Sequence, residues 1–184
     1  MRVIAGALKG RRLVTPRGTS TRPTADQIRV ALMDTLTPWL PDARVLDLFA
    51  GAGGVGLEAL SRGALHATFV EREARAVAAL DANIRALGVE AQARVLRLDA
   101  GRALRRLAGD GARFGIVFLD PPYATDHTAR TLEALGAGGV AATGSIVVAQ
   151  HLTKRAPASD VGVLKAFRTR RFGETTLTFF RAEG

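Results

Sequence analysis

The sequence predicts an α/β fold built on a mostly parallel, seven-stranded sheet with an antiparallel hairpin at one edge. From residue 44 onward, five short apolar runs alternate with segments of helical periodicity, which is typical of a parallel sheet covered by helices. The last two runs, 163–172 and 175–182, flank Gly173, and a tight turn there predicts the antiparallel edge. Two short apolar runs around a basic turn predict a small β-hairpin appendage at the N-terminus.

The five expected parallel strands cover residues 44–49, 67–71, 93–98, 114–120 and 145–150, with helices expected at 57–61, 74–87, 101–107 and 128–135. An amphipathic helix precedes the first strand. Thr24 is its expected N-cap, Gln27 completes a capping box, and the helix ends near Pro38. We therefore divide the chain into the appendage, residues 1–21, and a main domain, residues 22–184.

Composition narrows the classes of function. A chain of 184 residues that is 47% hydrophobic can bury one core. The absence of cysteine excludes a disulfide framework, a thiolate zinc site and a cysteine nucleophile. A formal net charge of +9 favours a polyanionic partner. With no apolar run of membrane-spanning length and no signal-peptide pattern, we expect a cytoplasmic protein that does not bind membranes.

The histidines show no metal-ligand spacing, so we expect no metal and place His66, His127 and His151 on the surface or in loops. Trp39 is expected in the core or as an anchor, and Phe179 and Phe180 in the core.

A glycine-rich loop follows the first core strand and precedes a helix. Gly51, Gly53 and Gly56 have the G-x-G-x-x-G spacing, which lets the backbone turn tightly and lets a ligand lie against bare amides near a helix N-terminus. The alternative is a tight strand-to-helix turn without a ligand.

Acidic residues at the strand ends indicate which class of ligand the glycine loop would bind. Asp47 precedes the glycines, where a carboxylate repels a pyrophosphate but suits an ammonium group. Glu71, about twenty residues beyond Gly51, can accept hydrogen bonds from both ribose hydroxyls of a nucleoside cofactor. S-adenosylmethionine (SAM), with an ammonium, a sulfonium and no phosphate, fits this pattern. Asp47 could instead be satisfied by loop amides, and Glu71 could cap a helix. Asp99 could reach the adenine amino group, cap the helix that starts at Ala100, or do both.

The stretch Asp120–Tyr123 ends the fourth strand and should face the same crevice. Exocyclic amino groups of bases are poor nucleophiles, so a site that methylates one must hold the nitrogen in line and accept hydrogen bonds from both its hydrogens. Asp120 and the Pro121 carbonyl can accept these bonds, Pro121 and Pro122 fix the turn, and Tyr123 offers a ring for a flipped base. Asp120 would position the amine and stabilise developing charge without acting as a strong base.

These motifs carry a family resemblance that covers nearly the whole chain. The segments "IAG…KGRRL", "RPTADQIRVALMDTL", "LDLFAGAGGVGLEALSRGA", "DPPY" and "FGETTLTFF" occur in this order. The combination resembles the RsmD family of 16S ribosomal RNA guanine-N2 methyltransferases. The resemblance implies a Rossmann-like class I SAM methyltransferase that modifies one guanine of 16S rRNA in the 30S subunit or an assembly intermediate.

The resemblance also supports the expected site residues. The catalytic set is Asp120, Pro121, Pro122 and Tyr123. The cofactor set lies in the glycine loop, at the strand ends and at the start of the first helix: Thr24, Asp47, Phe49, Ala50, Gly51, Gly53, Gly56, Glu71, Asp99 and Ala100. The sequence departs from the family pattern at Val30, where glutamate is usual, and at Gln150, where an acid is common.

Basic residues are expected to contact RNA phosphates. The expected RNA-binding set, mostly on the appendage, is Lys9, Arg11, Arg12, Arg17 and Arg22. A second cluster, Arg168, Arg170 and Arg171, could equally bind RNA or point into water.

Two other functions remain open. One is a DNA adenine-N6 or cytosine-N4 methyltransferase, and the other is an RNA-binding assembly factor without catalysis. A short chain without a separate target-recognition domain favours a substrate presented by a folded particle, and a monomer is expected.

Overall fold

The computed structural model describes residues 1–16, 23–122 and 126–184, with only the backbone at residues 23 and 24. Arg17, Arg22, Tyr123 and the side chain of Thr24 therefore lie outside the described residues.

One sheet runs through the protein. Its strands are β1 Arg44–Leu48, β2 His66–Val70, β3 Ala93–Leu96, β4 Phe114–Leu119, β5 Ala141–Leu152, β6 Asp160–Val161, β7 Leu164–Phe172 and β8 Thr175–Ala182. Their order across the sheet is β3-β2-β1-β4-β5-β8-β7-β6. The first five are parallel, and β8, β7 and β6 are joined to them by antiparallel pairing. The predicted parallel sheet with an antiparallel edge is confirmed. The eighth strand, β6, has only two residues, which is too short to leave a periodic signal.

Five helices cover the sheet: α1 Pro23–Leu36, α2 Gly54–Ser61, α3 Ala74–Leu87, α4 Ala100–Gly109 and α5 His127–Gly136. On one face, Leu32, Leu57 and Leu80 of α1–α3 belong to the first apolar cluster, and on the other, Leu104 and Leu132 of α4 and α5 belong to the second. Phe179 and Phe180 are fully buried in opposite clusters, because successive strand residues point to opposite faces. Their predicted core position is confirmed.

Three local predictions need correction or refinement. Helix α1 begins at Pro23, so Thr24 lies in its first turn and is not the N-cap. Proline is favoured at the first helical position because its missing N–H would have no partner there.

His151 is neither at the surface nor in a loop: it is 2% exposed on β5, with Nε2 2.8 Å from the Thr178 hydroxyl. His66 is half-buried at the start of β2. Trp39 packs against the first cluster, as expected of an anchor.

The N-terminal residues form less of a hairpin than predicted. Only one antiparallel bridge, Arg2 to Arg12, occurs outside the sheet in the described part of the chain. The amides of Ile4 and Ala5 instead donate to the carboxylate of Glu58 on α2, at 2.7 and 2.9 Å. Val3 and Leu13 belong to the first apolar cluster. The segment therefore packs onto the main fold.

The order of the strands creates the crevice. Strand β1 is central, and the chain turns to opposite sides of it to form β2 and β4. Ligands of open parallel sheets bind outside the carboxyl ends of the strands at such a switch point. The longest helices in the described parts of the chain, α1 and α3, have 14 residues each, fewer than a bilayer crossing requires.

Close packing of α2 on β2 requires Gly56. A Cβ at this position would lie 2.3 Å from the Phe69 ring. Gly56→Ala should lower the free energy of unfolding by about 1–3 kcal/mol through overpacking. Urea unfolding followed by the fluorescence of the single tryptophan, Trp39, measures the change. Gly109→Ala is the control, because a Cβ there meets no atom within 4 Å. Equal midpoints for the two variants would contradict the packing argument.

Candidate active site

Two cavities meet at the carboxyl ends of β1, β2 and β4. The larger, of about 640 Å³, extends between β2, β3 and α5, and the smaller, of about 360 Å³, lies between α1 and the glycine loop. Four residues line both: Phe49, Glu71, Glu73 and Asp120. A ligand with two chemically different ends can therefore occupy both cavities and pass these shared residues.

The three glycines of the loop have different roles. Gly51 (φ 55°) lines the smaller cavity, and its amide donates to the Glu71 carboxylate at 2.9 Å. Gly53 has a left-handed φ of 87° and is the N-cap residue of α2. Gly53 and Gly56 line neither cavity. Both have structural roles. The left-handed φ of Gly53 is free of strain only for glycine, and Gly56, in the first turn of α2, has no Cβ to collide with the Phe69 ring.

Asp47 is the most buried acid of the site, at 1% exposure, and lines the smaller cavity. Its Oδ2 accepts a hydrogen bond from the Gly56 amide at 3.0 Å. Burial raises the pKa of Asp47 to about 7, the Gly56 bond opposes the change, and the charges of Asp120 and Glu71 add to it. One amide of the first turn of α2 thus satisfies one oxygen, and the carboxylate still favours a cationic ligand.

Glu71 is bonded on both carboxylate oxygens. Oε2 accepts from Gly51, and Oε1 accepts from the amides of Arg72 and Glu73 at 2.7 and 2.8 Å. A carboxylate has about four acceptor positions. About one position therefore remains for a ligand hydroxyl in this arrangement, fewer than the two bonds expected from the sequence.

Asp99 has one of the two roles considered for it. Its Oδ1 accepts from the Arg102 amide at 2.9 Å, which confirms the N-cap of α4. This hydrogen bond lowers the pKa of Asp99. Asp99 and Ala100 also line the larger cavity.

Asp120 lies where the two cavities meet. Surrounding protein buries its carboxylate and raises its pKa to about 7, although the side chain still borders both cavities. Pro121 and Pro122 line the larger cavity beside it. Tyr123, the expected stacking ring, lies outside the described residues.

Phe49 has a backbone conformation that its residue type rarely adopts. Its φ of 68° is in the left-handed region, where a bulky side chain is strained. The ring borders both cavities, and its centroid is 6.3 Å from that of His127. His127 was expected on the surface or in a loop, but it begins α5 and lines the larger cavity. No local pattern could show this, since the packing of α5 on the sheet places the ring.

Two buried polar residues that the sequence analysis missed hold the N-terminal segment at the site. Asn83 donates to the carbonyls of Val14 and Ala52 at 2.9 and 3.0 Å and accepts from the Val14 amide at 2.7 Å. Arg29, 6% exposed and lining the smaller cavity, donates to the Arg2 carbonyl at 2.7 Å. The sequence signal available for Asn83 was a polar residue within the apolar stripe of α3.

The expected RNA-binding residues differ in their surroundings. Lys9 and Arg12 are exposed. Arg11 is also exposed, but its guanidinium donates to the Ala86 carbonyl on α3, which gives it a structural role. Arg17 and Arg22 lie outside the described residues. No group of three or more potential metal ligands occurs among the residues that the structure describes.

The strand order, the glycine loop and the acids at the strand ends define a Rossmann-like methyltransferase. The family model described as "Conserved hypothetical protein 95" matches residues 1–181. The chain therefore belongs to this family, which is the RsmD family that the sequence motifs resemble.

Known proteins are similar to this chain over most or all of its length. YlbH of Bacillus subtilis (strain 168) is 37% identical over 184 residues, which covers 100% of both chains. Ribosomal RNA small subunit methyltransferase D of Escherichia coli (strain K12) is 38% identical over 139 residues, 76% of this chain and 68% of the relative. The solved structure of yhhF from Escherichia coli has a TM-score of 0.86 and 31% identity, covering 100% of this chain and 98% of that one.

The buried charge of Asp47 should reduce stability at high pH. Its pKa is about 7 in the folded protein, against the ordinary aspartate value of 3.8 expected for the unfolded chain. Between pH 3.8 and about 7, folding therefore takes up a proton. In this range the free energy of unfolding falls by about 1.4 kcal/mol for each unit that the pH rises. Asp47→Asn keeps an acceptor for Gly56 and removes the charge. It should raise the melting temperature near pH 8 and have little effect near pH 4.

Asp99→Asn is the matched control for this pH dependence. The pKa of Asp99 is lowered, so its carboxylate contributes stability above the unfolded value and loses it as the pH falls. This variant should be neutral or slightly destabilised near pH 8. A pH-independent effect of Asp47→Asn would show that Asp47 is not held near a pKa of 7.

Proposed function

We propose that the protein transfers a methyl group from SAM to the exocyclic N2 amino group of one guanine in 16S rRNA. The substrate would be the cytoplasmic 30S particle or an assembly intermediate. The single observation that carries the proposal is the position of Asp120, a carboxylate beside two prolines at the junction of the two cavities. Membership of the RsmD family and the name of the Escherichia coli relative support the choice of rRNA.

The described residues suit SAM at both ends. The larger cavity, with Glu71 and Asp99, would hold the nucleoside, and the smaller, with Asp47, would hold the methionine part. The acids that face these cavities disfavour a phosphate-bearing cofactor and favour a cationic one. When bound, SAM supplies an electrophilic methyl group on its sulfonium.

Asp47 would bind the ammonium group through the carboxylate oxygen that Gly56 does not occupy. A neighbouring cation lowers the pKa of a carboxylate, so the ligand would restore the ionised form of Asp47 at neutral pH. Glu71 would keep the glycine loop in place through Gly51 and accept one ribose hydroxyl at its remaining position. Asp99, which lines the larger cavity, would accept a hydrogen bond from the adenine amino group.

Asp120 and Pro121 would act on the guanine. The carboxylate accepts one N2–H, and the Pro121 carbonyl accepts the other, which directs the nitrogen lone pair toward the methyl donor. Formation of the N–C bond would be matched by cleavage of the methyl–sulfur bond, with the electron pair leaving on sulfur as a neutral thioether. The positive charge would pass to the nitrogen, where the ionised Asp120 carboxylate would stabilise it. The methylated nitrogen then loses one proton to water, so no strong base is required. The rigid proline turn preserves the geometry.

Transfer of tritium from labelled SAM tests the proposal directly. The substrates are undermethylated 30S particles, deproteinised 16S rRNA and duplex DNA, each followed by nucleoside analysis. We expect labelled N2-methylguanosine from the particle. Labelled N6-methyladenine or N4-methylcytosine in DNA would replace the proposal with a DNA methyltransferase. SAM binding without transfer to any substrate would indicate an RNA-binding assembly factor.

Asp120 and Asp47 should separate catalysis from cofactor binding. Asp120→Ala should reduce methyl transfer by at least about a hundredfold and change SAM affinity only a few fold, since this carboxylate faces the base. Asp47→Asn should weaken SAM binding instead. Calorimetric titration with SAM and single-turnover kinetics measure the two effects. Equal loss of SAM affinity in both variants would show that the role of Asp120 is misassigned.

The exposed basic residues of the N-terminal segment should contribute phosphate contacts. Lys9→Glu combined with Arg12→Glu should weaken 16S rRNA binding and reduce the slope of log K against log salt by about 1.4, or about 0.7 per contact. Arg11 is left intact because it anchors the segment to Ala86. Arg105→Glu combined with Arg106→Glu, exposed on α4 across the sheet, makes the same charge change. A slope equal to that of this control would refute the contacts.

A further inference from the structure

We propose that one face of β7 and β8 binds a single-stranded part of the rRNA. This inference rests on the proposed function and adds a second RNA contact to it. The surface, here called the β7 surface, consists of Trp39, Phe167, Arg168, Arg170, Phe172 and Arg181.

The strand register places these β7 and β8 side chains on one face of the sheet. Arg168 pairs with Phe179, and Arg170 pairs with Leu177. Directly paired residues of antiparallel strands point to the same face. Phe179 and Leu177 belong to the first apolar cluster, which α1 covers, so Arg168 and Arg170 lie on that face, beyond α1.

An irregularity in β7 directs Phe167 to the same face. The register shifts between Ala166 and Arg168, so Phe167 is the extra residue. Ala166 packs against the second cluster, whereas the Phe167 ring is 6.4 Å from Phe179 of the first. A bulge re-aims side chains in this way. The result is a phenylalanine that is 46% exposed on an outer strand.

Aromatic rings and guanidinium groups are already stacked on the β7 surface. The guanidinium carbon of Arg181 lies 5.6 Å from the Phe167 centroid, and that of Arg170 lies 6.0 Å from the Phe172 centroid. Trp39 meets Phe167 edge to face at 6.5 Å. Proteins that bind single strands combine aromatic platforms for bases with cations for the backbone.

The cations of the β7 surface form no ion pair with any carboxylate among the described residues. Arg168, Arg170 and Arg181 take part in none of the ion pairs found in the described parts of the chain. Charged residues also protect an edge strand from pairing with another sheet. That role does not require a half-exposed phenylalanine under a guanidinium, whereas binding of a base and its phosphate uses both.

One end of the β7 surface, at Arg170, is close to the active site. Gln150, which lines the smaller cavity, pairs with Leu177, and Leu177 pairs with Arg170. Adjacent strands are about 4.8 Å apart, so the Arg170 backbone is about 10 Å from that of Gln150. Arg170 also donates to Thr35 of α1 at 3.2 Å, which fixes its position. One RNA molecule can therefore contact the cavity and this surface together.

Charge reversal tests the electrostatic part of the proposal. Arg168→Glu combined with Arg181→Glu should weaken binding to deproteinised 16S rRNA at least about tenfold at physiological salt and reduce the salt slope by about 1.4. In methyl transfer, KM should rise while kcat is retained. Arg105→Glu combined with Arg106→Glu again provides the matched charge control and should leave the slope near the wild-type value.

Phe167 tests the stacking part without a change of charge. Phe167→Leu keeps apolar packing on Phe179 but removes the ring, and it should lower rRNA affinity about five- to tenfold with an unchanged salt slope. Phe167→Tyr, which keeps an aromatic ring, should bind rRNA with the wild-type affinity. Thermal unfolding of both variants verifies that they are folded.

The outcomes separate this inference from the proposed function. If the wild type methylates 16S rRNA while all β7-surface variants bind and react like it, the inference is wrong and the function stands. If the variants are impaired only on 30S particles and not on deproteinised rRNA, the surface contacts a ribosomal protein, which also overturns the inference. A wild type that neither binds nor methylates 16S rRNA, whether deproteinised or in the 30S particle, refutes both.

Discussion

The carboxylate of Asp47 is buried at the end of the central strand, and the geometry of the glycine loop depends on it. It holds the Gly56 amide while Glu71, at the end of the neighbouring strand, holds the Gly51 amide. The glycine loop and the first turn of α2 that follows it are thereby fixed from two strands. A buried carboxylate is unfavourable without a positive partner, and none of the ion pairs of the described residues includes Asp47. The fold thus retains a costly charge where a cationic ligand would offset the cost.

The N-terminal segment shares residues with this site. Glu58 binds its backbone, Asn83 joins Val14 to Ala52 of the glycine loop, and Arg29 joins Arg2 to α1. Met1 and Thr15 consequently line the smaller cavity. The segment that carries Lys9 and Arg12 is therefore held by the same helices that enclose the proposed methionine site. The proposed RNA contact and the proposed cofactor site are thus joined through a few buried polar side chains.

Periodicity was sufficient to predict the parallel strands, most helices and the antiparallel edge, because each leaves a local pattern in the sequence. The acids Asp47, Glu71, Asp99 and Asp120 could be placed because parallel strands end at the same edge. Other features depend on contacts distant in sequence. The pairing of β6, the burial of His151, the position of His127 and the left-handed conformation of Phe49 are set by packing that no short window contains. The start of α1 was predicted after Thr24, whereas the helix begins at Pro23. The exact ends of a helix are the least reliable part of such a prediction.

Titration of the Asp47 carboxyl carbon by NMR, with and without SAM, tests the central role of this residue most directly. We expect a pKa near 7 in the free protein. Addition of SAM should move the transition to lower pH, because a bound ammonium group favours the ionised carboxylate. A free-protein pKa close to the ordinary aspartate value, or one that SAM does not change, would contradict the assignment of Asp47 as a buried charge awaiting a cationic ligand.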